Sequence, residues 1–208
     1  MQNILQGIID SVSGHPGVFL KFREVIVSSF SCEREVILAE SGFGEVRNVL
    51  DFSCGVGQYS TLFASKFYIG VDIDMKYISY AKKHYKGEFL FMGKGSHLAI
   101  KEDVIDLILA IDVFHHLSEI EGDFALREFR RVLKRSGKII IMDILPSESQ
   151  SNLLAKLLIK LDKGYYAREM NEFAEMVSKY FDIEKHYSTR SGPYTRQVLV
   201  LTEGVMSL

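Results

Sequence analysis

A short apolar run that ends in a glycine-spaced turn constrains this chain more than any other stretch. Residues 46–52 are typical of a buried strand, and a turn at 53–57 comes next with Gly55 and Gly57 two positions apart. From Gln58 onward the sequence favours a helix start. A strand, a turn with few bulky Cβ atoms and a helix start let a nucleotide-like ligand approach the backbone closely. The stretch therefore predicts a ligand site at the end of this strand.

Two carboxylates sharpen this prediction. Asp51 lies in the last turn of the first apolar run, and Asp72 ends the next one, residues 68–72. A carboxylate at the end of the second strand is suited to accept hydrogen bonds from both hydroxyls of a ribose. The spacing therefore favours a ligand that carries an adenosine-like group.

Size and composition exclude several classes of protein. We expect the 208 residues to form one domain, and the formal net charge of -2 gives no electrostatic reason to expect a nucleic-acid partner. Two cysteines, Cys32 and Cys54, are too few for a disulfide framework. No stretch approaches the ~18 apolar residues that cross a bilayer. We therefore expect a cytoplasmic protein.

The alternation of apolar runs and helical periodicity predicts an α/β chain with a mostly parallel sheet. Strands are expected at 46–52, 68–73, 88–92, 105–113 and 138–145, and helices between them at 58–66, 75–85 and 119–134.

The two ends of the chain depart from this alternation. Residues 1–44 are predicted to be helical and to cap the sheet. Residues 146–168, which include a leucine-rich amphipathic helix within 149–163, form a possible substrate lid. After a further helix at 168–180, the segments 182–189 and 196–202 are joined so closely that they favour an antiparallel pair.

Four segments resemble the class I S-adenosylmethionine-dependent methyltransferases of the small-molecule type. They are Val49-Leu50-Asp51-x-x-Cys54-Gly55-x-Gly57, the acidic-ended run 70–74, the fourth strand and turn at 105–117, and the helix and turn at 127–137. The resemblance implies a three-layer Rossmann-like fold with a seven-stranded sheet, an antiparallel final strand and a helical N-terminal cap. It also implies transfer of a methyl group from S-adenosylmethionine to an acceptor.

The resemblance assigns the family's cofactor contacts to particular residues of this chain. It implies that Asp51 faces the cofactor ammonium, that the turn holds the methionyl half, and that Asp72 accepts from the ribose hydroxyls. The turn after the third strand would line one edge of the adenine. The implied cofactor residues are Asp51, Ser53, Gly55, Gly57, Asp72, Ile73, Lys94, Gly95, Ser96 and Asp112.

Two of these positions depart from the family pattern. Ser53 stands where the family usually has glycine, and Lys94 stands where an aspartate usually accepts from the adenine amino group. An ammonium cannot accept a hydrogen bond. A binding protein that keeps the methyltransferase fold but does not catalyse methyl transfer therefore stays an alternative. An NAD(P)-dependent oxidoreductase is a second alternative; Ser60 nearly completes its glycine pattern, but the position of Asp72 and the presence of Asp51 directly before the turn disfavour it.

The residues after the fourth strand constrain the acceptor. His116 is our candidate general base, because an open α/β sheet places its ligands at these strand ends. The chain reads Asp112-Val113-Phe114-His115 where enzymes of this fold that methylate nucleobase amines carry a proline pair. We therefore expect a small-molecule acceptor and no nucleic-acid partner. The lysine-flanked leucine helix leaves a membrane-surface or lipid-like substrate open without favouring it.

No metal site is expected from the sequence. Four histidines, His15, His84, His97 and His186, show no ligand spacing with cysteines or acids.

Overall fold

The computed structural model of the chain describes residues 14–93, 95–162 and 165–204. Within these ranges the strands are β1 Asn48–Phe52, β2 Phe67–Asp72, β3 Glu88–Phe91, β4 Ile105–Ile111, β5 Leu133–Ile144, β6 Asp182–Ser191 and β7 Tyr194–Thr202. The α-helices are α1 Pro16–Ile26, α2 Ser31–Glu40, α3 Met75–His84, α4 Glu119–Val132, α5 Leu153–Leu161 and α6 Met170–Ser178. Short 3₁₀ helices cover Ser28–Phe30, Gln58–Phe63, Phe114–His116 and Ser147–Ser149.

The seven strands form one sheet in the order β3-β2-β1-β4-β5-β7-β6. Strands β1 to β5 pair in parallel, and β7 is antiparallel to both of its neighbours. The two-residue join between β6 and β7 is too short for a parallel crossover. The strand order reverses between β1 and β4, and an open sheet binds its ligands at such a switch point. The predicted fold class is confirmed.

Two hydrophobic clusters cover the two faces of the sheet. Neighbouring residues of one strand alternate between them: Ile139 belongs to the cluster that contains α4 and α6, and Ile140 to the cluster that contains α1 to α3. Because β1, β4 and the second half of β5 (139–144) are covered on both faces, these segments are mostly apolar.

The N-terminal helices add to the second cluster. Leu20 of α1 and Ile37 of α2 are buried in it. This is the described part of the predicted helical cap; residues 1–13 lie outside the described ranges.

Several predicted boundaries were wrong for local reasons. The helix expected at 58–66 is a 3₁₀ helix that ends at Phe63. Strand β4 ends at Ile111, because Asp112 takes a positive φ of 55°. Strand β5 begins directly after α4, with a register shift between its pairs Ile105–Leu133 and Leu107–Lys138.

The start of α5 was also misplaced. The helix starts at Leu153 and not at 149, because the Asn152 side chain accepts from the Leu154 N–H at 2.8 Å. An asparagine that accepts in this way is a strong N-cap. Among the described helices, none combines the length and apolar character needed to cross a bilayer.

Candidate functional site

A cavity of about 780 Å³ lies at the carboxyl ends of β1, β2 and β4. Its walls also include residues from α1, α4, α5 and β7. The size lies within the range of about 300–1,000 Å³ that is usual for small-molecule sites. The predicted base, His116, lines the cavity. So do seven of the predicted cofactor residues: Ser53, Gly55, Asp72, Ile73, Gly95, Ser96 and Asp112. Lys94 lies outside the described residues.

The turn after β1 is held in a left-handed conformation. Ser53, Gly55 and Gly57 have φ values of 66°, 55° and 83°. Glycine adopts this region freely, but a residue with a Cβ does so at a cost, so Ser53 carries local strain where the family usually has glycine. The turn thus has the left-handed conformation even with serine at position 53.

The two glycines of the turn have different roles. Gly55 lines the cavity, and a Cβ built on it meets no atom within 4 Å. A Cβ on Gly57 would lie 2.7 Å from Phe89 Cε1 and 3.0 Å from the Ala81 Cβ, and Gly57 is not part of the cavity wall. Gly55 therefore leaves space for a ligand, whereas Gly57 lets the turn pack against β3 and α3.

Asp72 connects the end of β2 to this turn. One carboxylate oxygen accepts from the Gly55 N–H at 2.8 Å, and the other accepts from the Asp74 N–H at 2.8 Å. Burial raises the pKa of Asp72, although these backbone hydrogen bonds oppose the shift. Each oxygen keeps a second lone pair, so the carboxylate still has acceptors for a ligand in the cavity. Ile73 beside it is 58% exposed, which leaves an apolar surface for a planar group.

Asp51 is buried behind the turn, and its contact with the cofactor ammonium stays a prediction. It is not part of the cavity wall, and its carboxylate accepts a hydrogen bond from the hydroxyl of Tyr68 on β2. Burial raises the pKa of Asp51 to about 7, and the hydrogen bond from Tyr68 only partly opposes this. In this structure the contact with Tyr68 holds the Asp51 carboxylate behind the turn, outside the cavity wall.

A network of buried charges surrounds Asp112. Its two oxygens accept from Arg23 of α1, at 2.5 Å, and from Arg196 of β7. Burial disfavours ionisation, but the attraction of Arg196 and Arg23 outweighs it and holds the pKa of Asp112 well below its usual range. Glu33 of α2 lies 3.5 Å from Arg196, so the four charges balance.

Some buried donors of this network have no partner within the described residues. They are the Nε atoms of Arg23 and Arg196 and the hydroxyl of Tyr59. All three side chains belong to the cavity wall. An unpaired buried donor costs about 1–3 kcal/mol, so these atoms favour a ligand that brings acceptors.

The two histidines after β4 differ in their surroundings. His115 is buried, and its Nδ1 lies 2.5 Å from an Asp143 oxygen. Burial disfavours the His115 cation, but Asp143 and Asp162 outweigh it and raise its pKa to about 10. The His116 side chain is 43% exposed, and its Nε2 lies 3.7 Å from Asp162. Burial and the charge of His115 lower the pKa of His116.

Only part of the predicted lid reaches the cavity. Within the described part of 146–168, Leu158 and Asp162 line it. Arg168 instead donates to the carbonyl oxygens of Phe114 and Leu117 and supports the turn that carries the histidines.

Sequence reasoning missed five charged residues around the cavity: Arg23, Glu33, Asp143, Asp162 and Arg196. A lone acid within the apolar run 139–145 was a signal for Asp143. The other four carried none, because their partners lie far away in the sequence.

Comparison with known proteins agrees with this geometry. A family model described as a methyltransferase domain matches residues 50–141. An uncharacterized methyltransferase of Bacillus mycoides (strain KBAB4) is 25% identical over 177 residues, which cover 84% of this chain and 75% of that protein. The tRNA (carboxymethyluridine(34)-5-O)-methyltransferase of Arabidopsis thaliana is 33% identical over 109 residues, which cover 52% of this chain and only 26% of the plant protein.

A solved structure supports the fold. The magnesium protoporphyrin IX methyltransferase of Synechocystis PCC 6803, with bound SAH, superimposes with a TM-score of 0.63 at 18% identity. The match covers 82% of this chain and 81% of that one. These matches are all described as methyltransferases, and none of them supports an NAD(P)-dependent oxidoreductase or a non-catalytic binding protein. The sheet order, the cavity at the switch point and the methyltransferase domain matched over residues 50–141 together support the interpretation of this chain as a class I S-adenosylmethionine-dependent methyltransferase.

Proposed function

We propose that this enzyme methylates a small-molecule acceptor inside the cavity at the switch point. The observation that carries the proposal is the continuity of one 780 Å³ cavity from the β1 turn to His116, Leu158 and Asp162. Its wall is mostly apolar, with charged groups at a few places, which is the usual composition of a small-molecule site. Phe19 and Phe22 of α1 cover part of it. The geometry favours an acceptor small enough to be enclosed with the cofactor.

The residues present fit S-adenosylmethionine. Gly55 leaves open space along the turn, and Asp72 keeps lone pairs for ribose hydroxyls. Ile73, Gly95 and Ser96 would contact the adenine. The amino-acid end of the cofactor carries an ammonium and a carboxylate. We assign this end of the cofactor to the network of Asp112, Arg23 and Arg196, in which the unpaired Nε atoms of the two arginines would donate to the cofactor carboxylate. Asp51 is less suited to bind the ammonium, because it is not part of the cavity wall.

The chemistry asks little of the protein beyond positioning. When bound, S-adenosylmethionine supplies an electrophilic methyl group on a sulfonium. The cavity walls would align the acceptor with that methyl group and exclude water, and such alignment accounts for much of the rate of an in-line displacement. The role of His116 as a general base stays a prediction; its ring lies in the cavity wall.

The decisive experiment traces the methyl group. The purified enzyme and S-adenosylmethionine with a labelled methyl group are added to an extract separated into small-molecule, RNA and protein fractions. We expect label in a compound of the small-molecule fraction other than S-adenosylmethionine, and much less of that labelled product with Asp72→Ala. Label confined to RNA or to protein would overturn the proposal.

RNA is the second candidate acceptor, because the Arabidopsis relative is named as a tRNA methyltransferase. The net charge of -2 disfavours it, since phosphate contacts need basic side chains. Unmodified tRNA added to the same assay tests this candidate directly: methylation of tRNA supports it, and unlabelled tRNA excludes it.

A further inference from the structure

Three potential metal ligands converge on the cavity from two separate segments. His115 and His116 belong to the 3₁₀ helix after β4, and Asp162 lies directly after the end of α5. His115 Nε2 lies 3.6 Å from one Asp162 oxygen, and His116 Nε2 lies 3.7 Å from the other. One ligand atom from each residue falls within 4.8 Å of the other two. All three residues line the cavity.

These distances are close to those of a bound ion. Around a tetrahedral ion with bonds of about 2.1 Å, two ligand atoms lie about 3.4 Å apart. Each histidine contact with Asp162 exceeds this value by a few tenths of an ångström, but the two contacts end on different oxygens, so Asp162 would turn one oxygen towards the ion. The side chains of His116 and Asp162 are 43% and 45% exposed, so they have room to adjust, whereas His115 is 3% exposed and fixed.

The carboxylate behind His115 is the strongest support for a metal. Asp143, buried in β5, accepts from the His115 backbone N–H at 3.0 Å and contacts its Nδ1 at 2.5 Å. This contact fixes the ring and directs Nε2 towards Asp162. A histidine that binds a metal through one nitrogen ordinarily donates from the other to a carboxylate. The pairing of Asp143 with His115 reproduces that arrangement.

We propose that His115, His116 and Asp162 bind a divalent transition-metal ion, Zn²⁺ above all, with Asp143 orienting His115. Two imidazoles and one carboxylate suit zinc and leave coordination positions open. Those positions face the cavity, where water or an oxygen atom of its occupant completes the shell. The sequence expectation of no metal site missed the cluster because Asp162 is far from the histidines along the chain.

The metal site and the proposed function can be tested separately. Metal binding needs no methyl donor, and binding of S-adenosylhomocysteine by the metal-free enzyme needs no zinc. The two roles of His116 exclude each other while zinc is bound, because a nitrogen bound to zinc cannot take up a proton; the predicted role as a general base belongs to the metal-free enzyme.

The test is a zinc titration of the full chain after treatment with a chelator, measured by calorimetry. We expect one Zn²⁺ per chain. Asp162→Asn and His116→Gln, both at half-exposed positions, should each weaken the affinity at least 10-fold, and Asp143→Asn about 10- to 100-fold. Co²⁺ should give visible absorption bands that both ligand variants lose. Thermal melting checks that each variant is folded.

His97→Gln is the matched control. His97 also contacts a carboxylate, Glu128 at 3.0 Å, but it has no part in the cavity wall. The His97→Gln variant should bind zinc with the same affinity as the unaltered enzyme. The proposal is overturned if millimolar zinc gives no saturable binding, if Asp162→Asn and His116→Gln keep full affinity, or if His97→Gln weakens binding equally.

Discussion

The carboxylate of Asp72 accepts a hydrogen bond of 2.8 Å from the backbone N–H of Gly55. This contact joins the end of β2 to the turn after β1, the two parts of the sheet edge that the cofactor would bridge. The same carboxylate therefore shapes the turn and keeps lone pairs for a ligand.

Replacing Asp72 with alanine should weaken S-adenosylhomocysteine binding at least 10-fold. Hydrogen bonds to a charged group are worth about 1.5–3 kcal/mol, and about 1.4 kcal/mol corresponds to tenfold in affinity. Calorimetry measures the change. Asp106→Asn is the control, because Asp106 pairs with Lys134 and is not part of the cavity wall. Equal affinities in both variants would show that Asp72 does not contact the ligand.

The two glycines of the turn should respond differently to alanine. Gly57→Ala adds backbone strain and a clash with Phe89, and should destabilise the fold by about 2–4 kcal/mol. Gly55→Ala adds only the strain, about 1–2 kcal/mol, but places a methyl group in the ligand space. Urea unfolding and S-adenosylhomocysteine titration should therefore rank the variants in opposite orders. The same ranking in both measurements would contradict the two roles.

Asp51→Asn should stabilise the fold increasingly as the pH rises. The pKa of Asp51 is raised by burial from 3.8 to about 7, so its contribution to stability is present at low pH and lost as the pH rises through about 7. Asparagine stays neutral and avoids this loss. Urea unfolding of both proteins at about pH 4.5 and about pH 7.5 should show the larger difference at the higher value.

Ligand affinity of the same variant tests the placement of Asp51. Because Asp51 is not part of the cavity wall, Asp51→Asn should bind S-adenosylhomocysteine normally. Loss of binding would restore the contact with the ammonium that the family resemblance implied.

Arg196→Met should destabilise the fold by about 3–5 kcal/mol, because it removes the cation beside buried Glu33 and leaves Asp112 with only Arg23. Arg196 is 1% exposed and pairs with Asp112 and Glu33. Arg190→Met, on the neighbouring strand β6, is the control; Arg190 is exposed, and its change should stay within about 0.5 kcal/mol. Similar urea midpoints for the two variants would mean that the buried network contributes little.

The local pattern of the chain was sufficient for the fold and for one side of the site. Apolar runs predicted the first five strands, because burial within a sheet leaves a pattern in each strand, and the short join after 182–189 predicted the antiparallel end. Asp72 and Gly55 were found for the same reason: their roles depend on adjacent strand ends and the turn between them.

Contacts between distant segments were decided only by the tertiary structure. Arg23 and Arg196 reach Asp112 from α1 and β7, and Asp162 reaches the histidines from the segment after α5. Asp51 and Gly57 match the family pattern in sequence, yet both face inward. A sequence determines which side chains are available at a strand end. The packing of distant helices and strands determines which of those side chains share a cavity, because charged groups pair and apolar surfaces fit together only when the segments that carry them lie in contact.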